Sequence, residues 1–251
     1  MNNAESSRFH VLQAIEAGWN AFSKAPMTFV LFTLLSGAFG LIFQGLSYFA
    51  AIRSSTGSGL DPGTVPLLII SVIGSTIVSL WAVIGLIRGA WRALNGQKPS
   101  FQDFTRWDSK AVGRLLIHQL VLAILLAIVL LIAVAVGRGL VQIHQALAVI
   151  PGVAAGIVFL YLGVNQTFLP WIAAVQNGDV FDRIQSGIDY VDPSWWWILL
   201  LLIVEGVVLS IGLLLNGVGL LVASPLVICI STAAYRQLFG TADQTCFLSE
   251  N

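Results

Sequence analysis

Six apolar stretches, each long enough to cross a bilayer, constrain this chain more than any other feature of it. A helix needs about 20 mostly apolar residues to cross a hydrocarbon core about 30 Å thick, and backbone polar groups there must be satisfied within the segment. The stretches run Met27–Ile52, Val65–Ile87, Leu115–Val136, Leu147–Ala174, Trp196–Leu215 and Leu220–Gln237, with Gly, Pro or charge at the breaks. Composition agrees: 57% of the 251 residues are hydrophobic and 10% charged, where soluble domains carry about 25% charged residues. The expected fold is all-α, a single polytopic membrane domain built as a bundle of six transmembrane helices. None of the runs reads as a secretory signal, because the first exceeds the apolar core of about 7–15 residues that such signals carry.

Orientation follows from the placement of Lys and Arg. Arg8, Lys24, Arg88, Arg92, Lys98, Arg106, Lys110, Arg114, Arg183 and Arg236 would share one side, and Arg53 and Arg138 the other. Ten against two predicts cytoplasmic N- and C-termini, which an even number of spans requires. The expected location is therefore the cell membrane, crossed six times.

Short amphipathic helices are predicted on the cytoplasmic face ahead of each pair of spans. In the first, within residues 1–26, Val11, Leu12, Ile15, Trp19 and Phe22 form the apolar face. In the second, Ser100 caps and Asp103 answers it three residues on, with Phe101, Phe104 and Trp107 apolar. In the third, Asp179 caps a helix whose Phe181, Ile184, Ile188 and Val191 recur at helical spacing. The even-numbered spans end at Gly96, Gly178 and Gly240, where a left-handed residue closes a last turn. This gives three units, each an interfacial helix and a hairpin, before a cytoplasmic tail over 238–251. The longest polar stretch, Arg88 to Arg114, is too short for a soluble domain with its own core.

Three stretches carry a resemblance: "AIEAGWNAFSK" before the first span, "GLIRGAWRALNGQKPSFQDF" after the second and "GVGLLVASPLVICISTAAYRQLFG" across the sixth. Together they resemble a bacterial family of six-helix integral membrane proteins with no assigned activity. That family is akin to the membrane domain attached to some glycerophosphoryl diester phosphodiesterases. The resemblance implies six helices with cytoplasmic termini in a bacterial inner membrane. It carries over no catalytic residue, because the phosphodiesterase chemistry belongs to a separate soluble domain.

Little in the chain points to chemistry. His10, His118 and His144 fall in three different segments, and Asp179, Asp182, Asp189 and Asp192 lack the alternating ligand spacing of a calcium loop. No nucleotide-binding or nucleophile-elbow pattern occurs, so no catalytic, metal or cofactor residue is assigned. Net charge is zero, so charge gives no argument for a nucleic-acid partner and none is expected. Cys229 and Cys246, in a span and in the tail, are not expected to pair. Arg88, Arg92, Lys98, Arg106, Lys110 and Arg114 are candidates for contacting anionic lipid headgroups, each contributing about 1 kcal/mol at an acidic surface. Positive-inside bias alone also accounts for them.

Glu205 is the other candidate. Counted from Trp196 at 1.5 Å per residue it lies about 13 Å deep, where acids are rare and face the protein interior. Charge is most expensive there, so the neutral acid is the expected form, needing only an acceptor. The short turn between the fifth and sixth spans places Ser231 nearly opposite it and Thr232 next. Asn165 and Gln166, about 7–9 Å inside the end of the fourth span, complete a candidate polar cluster. Two readings follow. The favoured one is a structural, assembly or interaction role, with lipid or another membrane protein as partner; the alternative is a small-solute or proton-coupled transporter working through this cluster.

Overall fold

In hydrocarbon a backbone has no water to bond, so an apolar run of sufficient length closes its own i→i−4 ladder. The computed structural model describes residues 9–56, 63–215 and 217–249. Arg8 of the charge count, Asn216 of the last interhelical turn and the final two residues of the tail lie outside the described residues. The helices are α1 (Val11–Ser23), α2 (Pro26–Thr56), α3 (Thr64–Leu94), α4 (Phe101–Thr105), α5 (Ser109–Val141), α6 (Val149–Asn165), α7 (Leu169–Val175), α8 (Val180–Val191), α9 (Trp195–Leu214) and α10 (Leu220–Phe239). Among the described residues six segments are long and apolar enough to cross a membrane, so the polytopic all-α fold stands.

The fourth span departs from expectation. In place of one helix over 147–174, a 3-10 turn at Gln145–Ala148 leads into α6, which ends at Asn165, and α7 is a separate short helix. Pro170 explains the break: it has no N–H to offer the Gln166 carbonyl, which takes the Leu169 N–H instead at 3.0 Å. The helix can restart because proline is tolerated in a first turn. The predicted helix ends are found: Gly96, Gly178 and Gly240 have φ of 86°, 124° and 84°. The predicted capping box at Ser100 forms, with Asp103 Oδ2 accepting from Ser100 N at 2.8 Å, and the predicted cap Asp179 is part of a second box in which Asp182 Oδ2 accepts from Asp179 N at 3.2 Å.

On each amphipathic helix the protein covers only part of the predicted apolar face. On α1 the buried line is Val11, Ala14, Gly18, Ala21 and Phe22, while Leu12 is 82% exposed and Trp19 also faces out. On α8 the buried line is Arg183, Gly187 and Val191, and Phe181 is 70% exposed. On α4 only Phe104 is buried, with Phe101 and Trp107 exposed. The cause is common to all three. Lipid is as apolar as leucine, so nothing drives large aliphatic residues inward, and close backbone approach selects small ones. Gly18 illustrates this: a Cβ there would fall 2.5 Å from Ile230 Cα.

Contacts gather the chain into two compact units. One comprises Leu12–Val112 and Val204–Ala234, the other Met1–Val11, Gly113–Ile203 and Tyr235–Asn251. In the first, α4 docks on the end of α3. Gly85 and Gly89 leave room for Phe104, since a Cβ on Gly89 would lie 2.1 Å from the Phe104 ring. Phe104 meets Phe29 edge-on at 4.9 Å and joins a core that includes Phe22, Phe32, Ala90 and Cys229. Trp81 Nε1 donates to the Thr105 carbonyl at 3.2 Å and pins the helix end.

In the second unit α7 is buried almost throughout, and its last carbonyls, which have no intrahelical partner, are taken by distant donors. Arg114 gives Nε to the Ala173 carbonyl at 2.7 Å and Nη2 to that of Ala174 at 2.9 Å. The tail supplies the rest: Thr245 Oγ1 donates to the Ala174 carbonyl at 2.6 Å and Gln244 N to that of Val175 at 2.8 Å. Asn177 and Gln244 add two further hydrogen bonds, and Phe247 is buried.

Candidate functional site

Glu205 lies midway along α9, an element that opens on three tryptophans and carries no other formal charge. It is 5% exposed, and Ser231 on α10 donates its hydroxyl to Glu205 Oε1 at 2.7 Å. The predicted pairing across the hairpin is therefore found. The two helices converge near their turn because Gly212 meets Gly219: a Cβ on Gly212 would lie 2.9 Å from Ala223 Cβ. Thr232 gives its hydroxyl to the Ile228 carbonyl of its own helix at 2.6 Å. Such pairs between membrane helices contribute about 0.6 kcal/mol on average and up to about 1.7, enough to hold register.

Asn165 and Gln166 belong to the other unit and have different neighbours. Gln166 Nε2 donates to the Ile184 carbonyl at 3.0 Å. Both carboxamides press against α8, where a Cβ on Gly187 would lie 2.9 Å from the Asn165 carbonyl and 3.0 Å from Gln166 Nε2. Asn165 also holds its side chain near the Tyr161 hydroxyl, outside good hydrogen-bond geometry. The polar side chains grouped by the sequence thus resolve into a Glu205–Ser231 pair and a separate amide pair under α8.

The six basic candidates also divide. Arg88 is 1% exposed, with Nη1 donating to the carbonyls of Asp103 at 3.4 Å and Arg106 at 2.9 Å, while Nη2 meets Asp108 Oδ2 at 3.4 Å. Arg92 pairs with Asp103 at 3.1 Å, and Arg114 holds the end of α7. These three guanidinium groups brace the protein itself. Lys98 and Lys110 are exposed and Arg106 is half-buried. Arg88 can be buried this way because its planar fork reaches several acceptors at once and the Asp108 carboxylate balances its charge.

One arrangement was missed from the sequence. His118, fully buried on α5, lies with Nε2 3.4 Å from Nη1 of Arg183 on α8, and its Nδ1 faces the Arg114 carbonyl. The available signal was the four-residue spacing of Arg114 and His118, which puts both on one helical face. What hid it was that a lone histidine and a lone arginine, 65 residues apart, share no motif.

One further feature of the second unit is apolar. A groove of about 370 Å³ between α5 and α6 is lined by residues such as Val129, Ala133, Val136, Ile150, Ala154 and Val158. Compared with protein-family models, curated proteins and solved structures, the chain matches none.

Proposed function

We propose that the protein works through contacts made within the membrane, as an assembly or interaction component whose partner is lipid or another membrane protein. The observation that supports this is the exposure of α5 and α6. Only 6% of the most apolar window of α5 is buried, against 56% of that of α10, and the groove between α5 and α6 is apolar along its length. Apolar faces and small residues are what membrane helices use to associate. Purification in a mild detergent followed by native mass spectrometry tests the reading. A reproducible bound protein or lipid is expected; a bare monomer stripped of both argues against it.

The membrane proposed is a bacterial inner membrane with both termini cytoplasmic, supported by the ten-to-two distribution of Lys and Arg and by the resemblance to six-helix bacterial membrane proteins. Reporter fusions at Gly96 and Arg138 should report opposite sides.

A second reading, small-solute or proton-coupled transport, has one specific support, the buried Glu205–Ser231 pair. Glu205→Gln keeps size and hydrogen-bonding capacity while removing the titratable proton. Unchanged uptake, efflux and acid sensitivity in that variant would remove the support.

A further inference from the structure

Under α8 a cation is buried without an ion-pair partner. Arg183 is 6% exposed and its Nε has no hydrogen-bond partner, and among the described residues no carboxylate forms an ion pair with it. His118 does not neutralise it. A carbonyl only accepts, so with Nδ1 against the Arg114 carbonyl the ring proton sits on Nδ1, and Nε2 offers Arg183 a lone pair but no negative charge. Arg114, one turn away, adds a second positive charge whose donors are engaged with the end of α7. The exposed acids Asp179 and Asp182, on the cap and first turn of α8, act on Arg183 only through space. Gln166, buried beside the next turn of α8, spends Nε2 on the Ile184 carbonyl and keeps Oε1 unpaired. Gly187 of α8 is what lets this amide approach the helix, since a Cβ there would lie 3.0 Å from Gln166 Nε2.

A buried guanidinium with an unmade bond calls for an anion whose oxygens can meet its fork. The unpaired amide oxygen of Gln166, packed on the next turn of the same helix, calls for a donor. We infer that Arg183 and Gln166 form a binding site for a phosphate-type oxyanion, its negative oxygen meeting Arg183 and a hydroxyl on the same group meeting Gln166, while His118 Nε2 accepts from Arg183 Nη1 and holds the fork in place. A hydroxyl-bearing anionic lipid headgroup and free hydrogenphosphate share this chemistry. The site is distinct from the α5–α6 groove and stands whether or not that groove takes a partner.

The test uses the full chain in nanodiscs and in detergent. Native mass spectrometry after delipidation compares retention of phosphatidylglycerol with phosphatidylcholine, and thermal unfolding compares inorganic phosphate with chloride at equal ionic strength. Preference for phosphatidylglycerol identifies the lipid source; a rise in Tm with phosphate and no lipid preference identifies the soluble source. In either case Arg183→Gln should weaken binding at least about tenfold, with Arg183→Lys in between, since a single ammonium replaces the fork. The wild-type comparisons keep the test intact if Arg183→Gln lowers the yield of folded protein. Equal retention of the two lipids together with no phosphate-dependent shift would overturn the inference and leave a hydration site only. Binding undiminished in a folded Arg183→Gln would do the same.

Discussion

The two ends of α3 are built on opposite rules. From Ile84 to Ala93 every residue but Arg92 is buried, including Arg88 and Gly89, while Val65, Ile69, Ile70, Val72, Ile73 and Ile77 near the other end are exposed. The same contrast runs along α5, where Leu115 and His118 are buried and Ile124, Leu131, Ile132 and Val134 are exposed. The more apolar stretch is in each case the less packed one. In water this would be a misfold; in a bilayer the aliphatic side chains meet their preferred surroundings without help from the protein. Protein contacts are concentrated where the chain carries arginine, glycine, histidine and aromatic residues.

Substitutions can break that contrast. The largest effect is expected at Arg88. Arg88→Ala strands Asp108 and the Asp103 and Arg106 carbonyls, at a cost of about 3–5 kcal/mol, read as loss of folded protein on denaturant titration in detergent. Arg88→Met with Asp108→Leu should recover much of it, because removing both charges leaves neither uncompensated; no recovery would show that the carbonyl contacts dominate. Next comes Gly89→Val, which drives its side chain into Phe104 and should cost about 1–3 kcal/mol. Loss of protection from proteolysis between α4 and α5 would locate the damage.

Ser231→Ala ranks third. It removes the donor to Glu205 and should cost about 0.6–1.7 kcal/mol; a cost near zero would mean that Glu205 has found another partner. The smallest effect is predicted for Leu131→Ala, on an exposed part of α5, within about 0.5 kcal/mol. A larger loss there would show that the apolar end is packed in the membrane against something other than lipid.

Much of the fold was legible because its rules are local. Span length, caps at Ser100 and Asp179, and glycines at 96, 178 and 240 each depend on a few neighbouring residues. The pairing of Ser231 with Glu205 was legible for a related reason: a short turn fixes register between two helices. Burial was not legible in the same way. Hydrophobic periodicity reports which face of α1 or α8 is apolar but not which of its residues the protein covers: Val11 and Val191 are buried, and Leu12 and Phe181 are not. The sharing of one site by His118 and Arg183 depends on how α5 and α8 are brought together, and no short stretch of sequence encodes that.

The end of α7 has a consequence for the order in which the molecule is completed. Its Ala174 carbonyl is claimed by Arg114, 60 residues earlier, and by Thr245, 71 residues later. While the chain is being made, α7 therefore emerges with half of its closing bonds available and waits through the synthesis of α8, α9 and α10 for the others. Until Gln244 and Thr245 arrive, the turn into α8 is held from one side only. The last stretch of the chain thus acts as a fastening that finishes a helix already long in place.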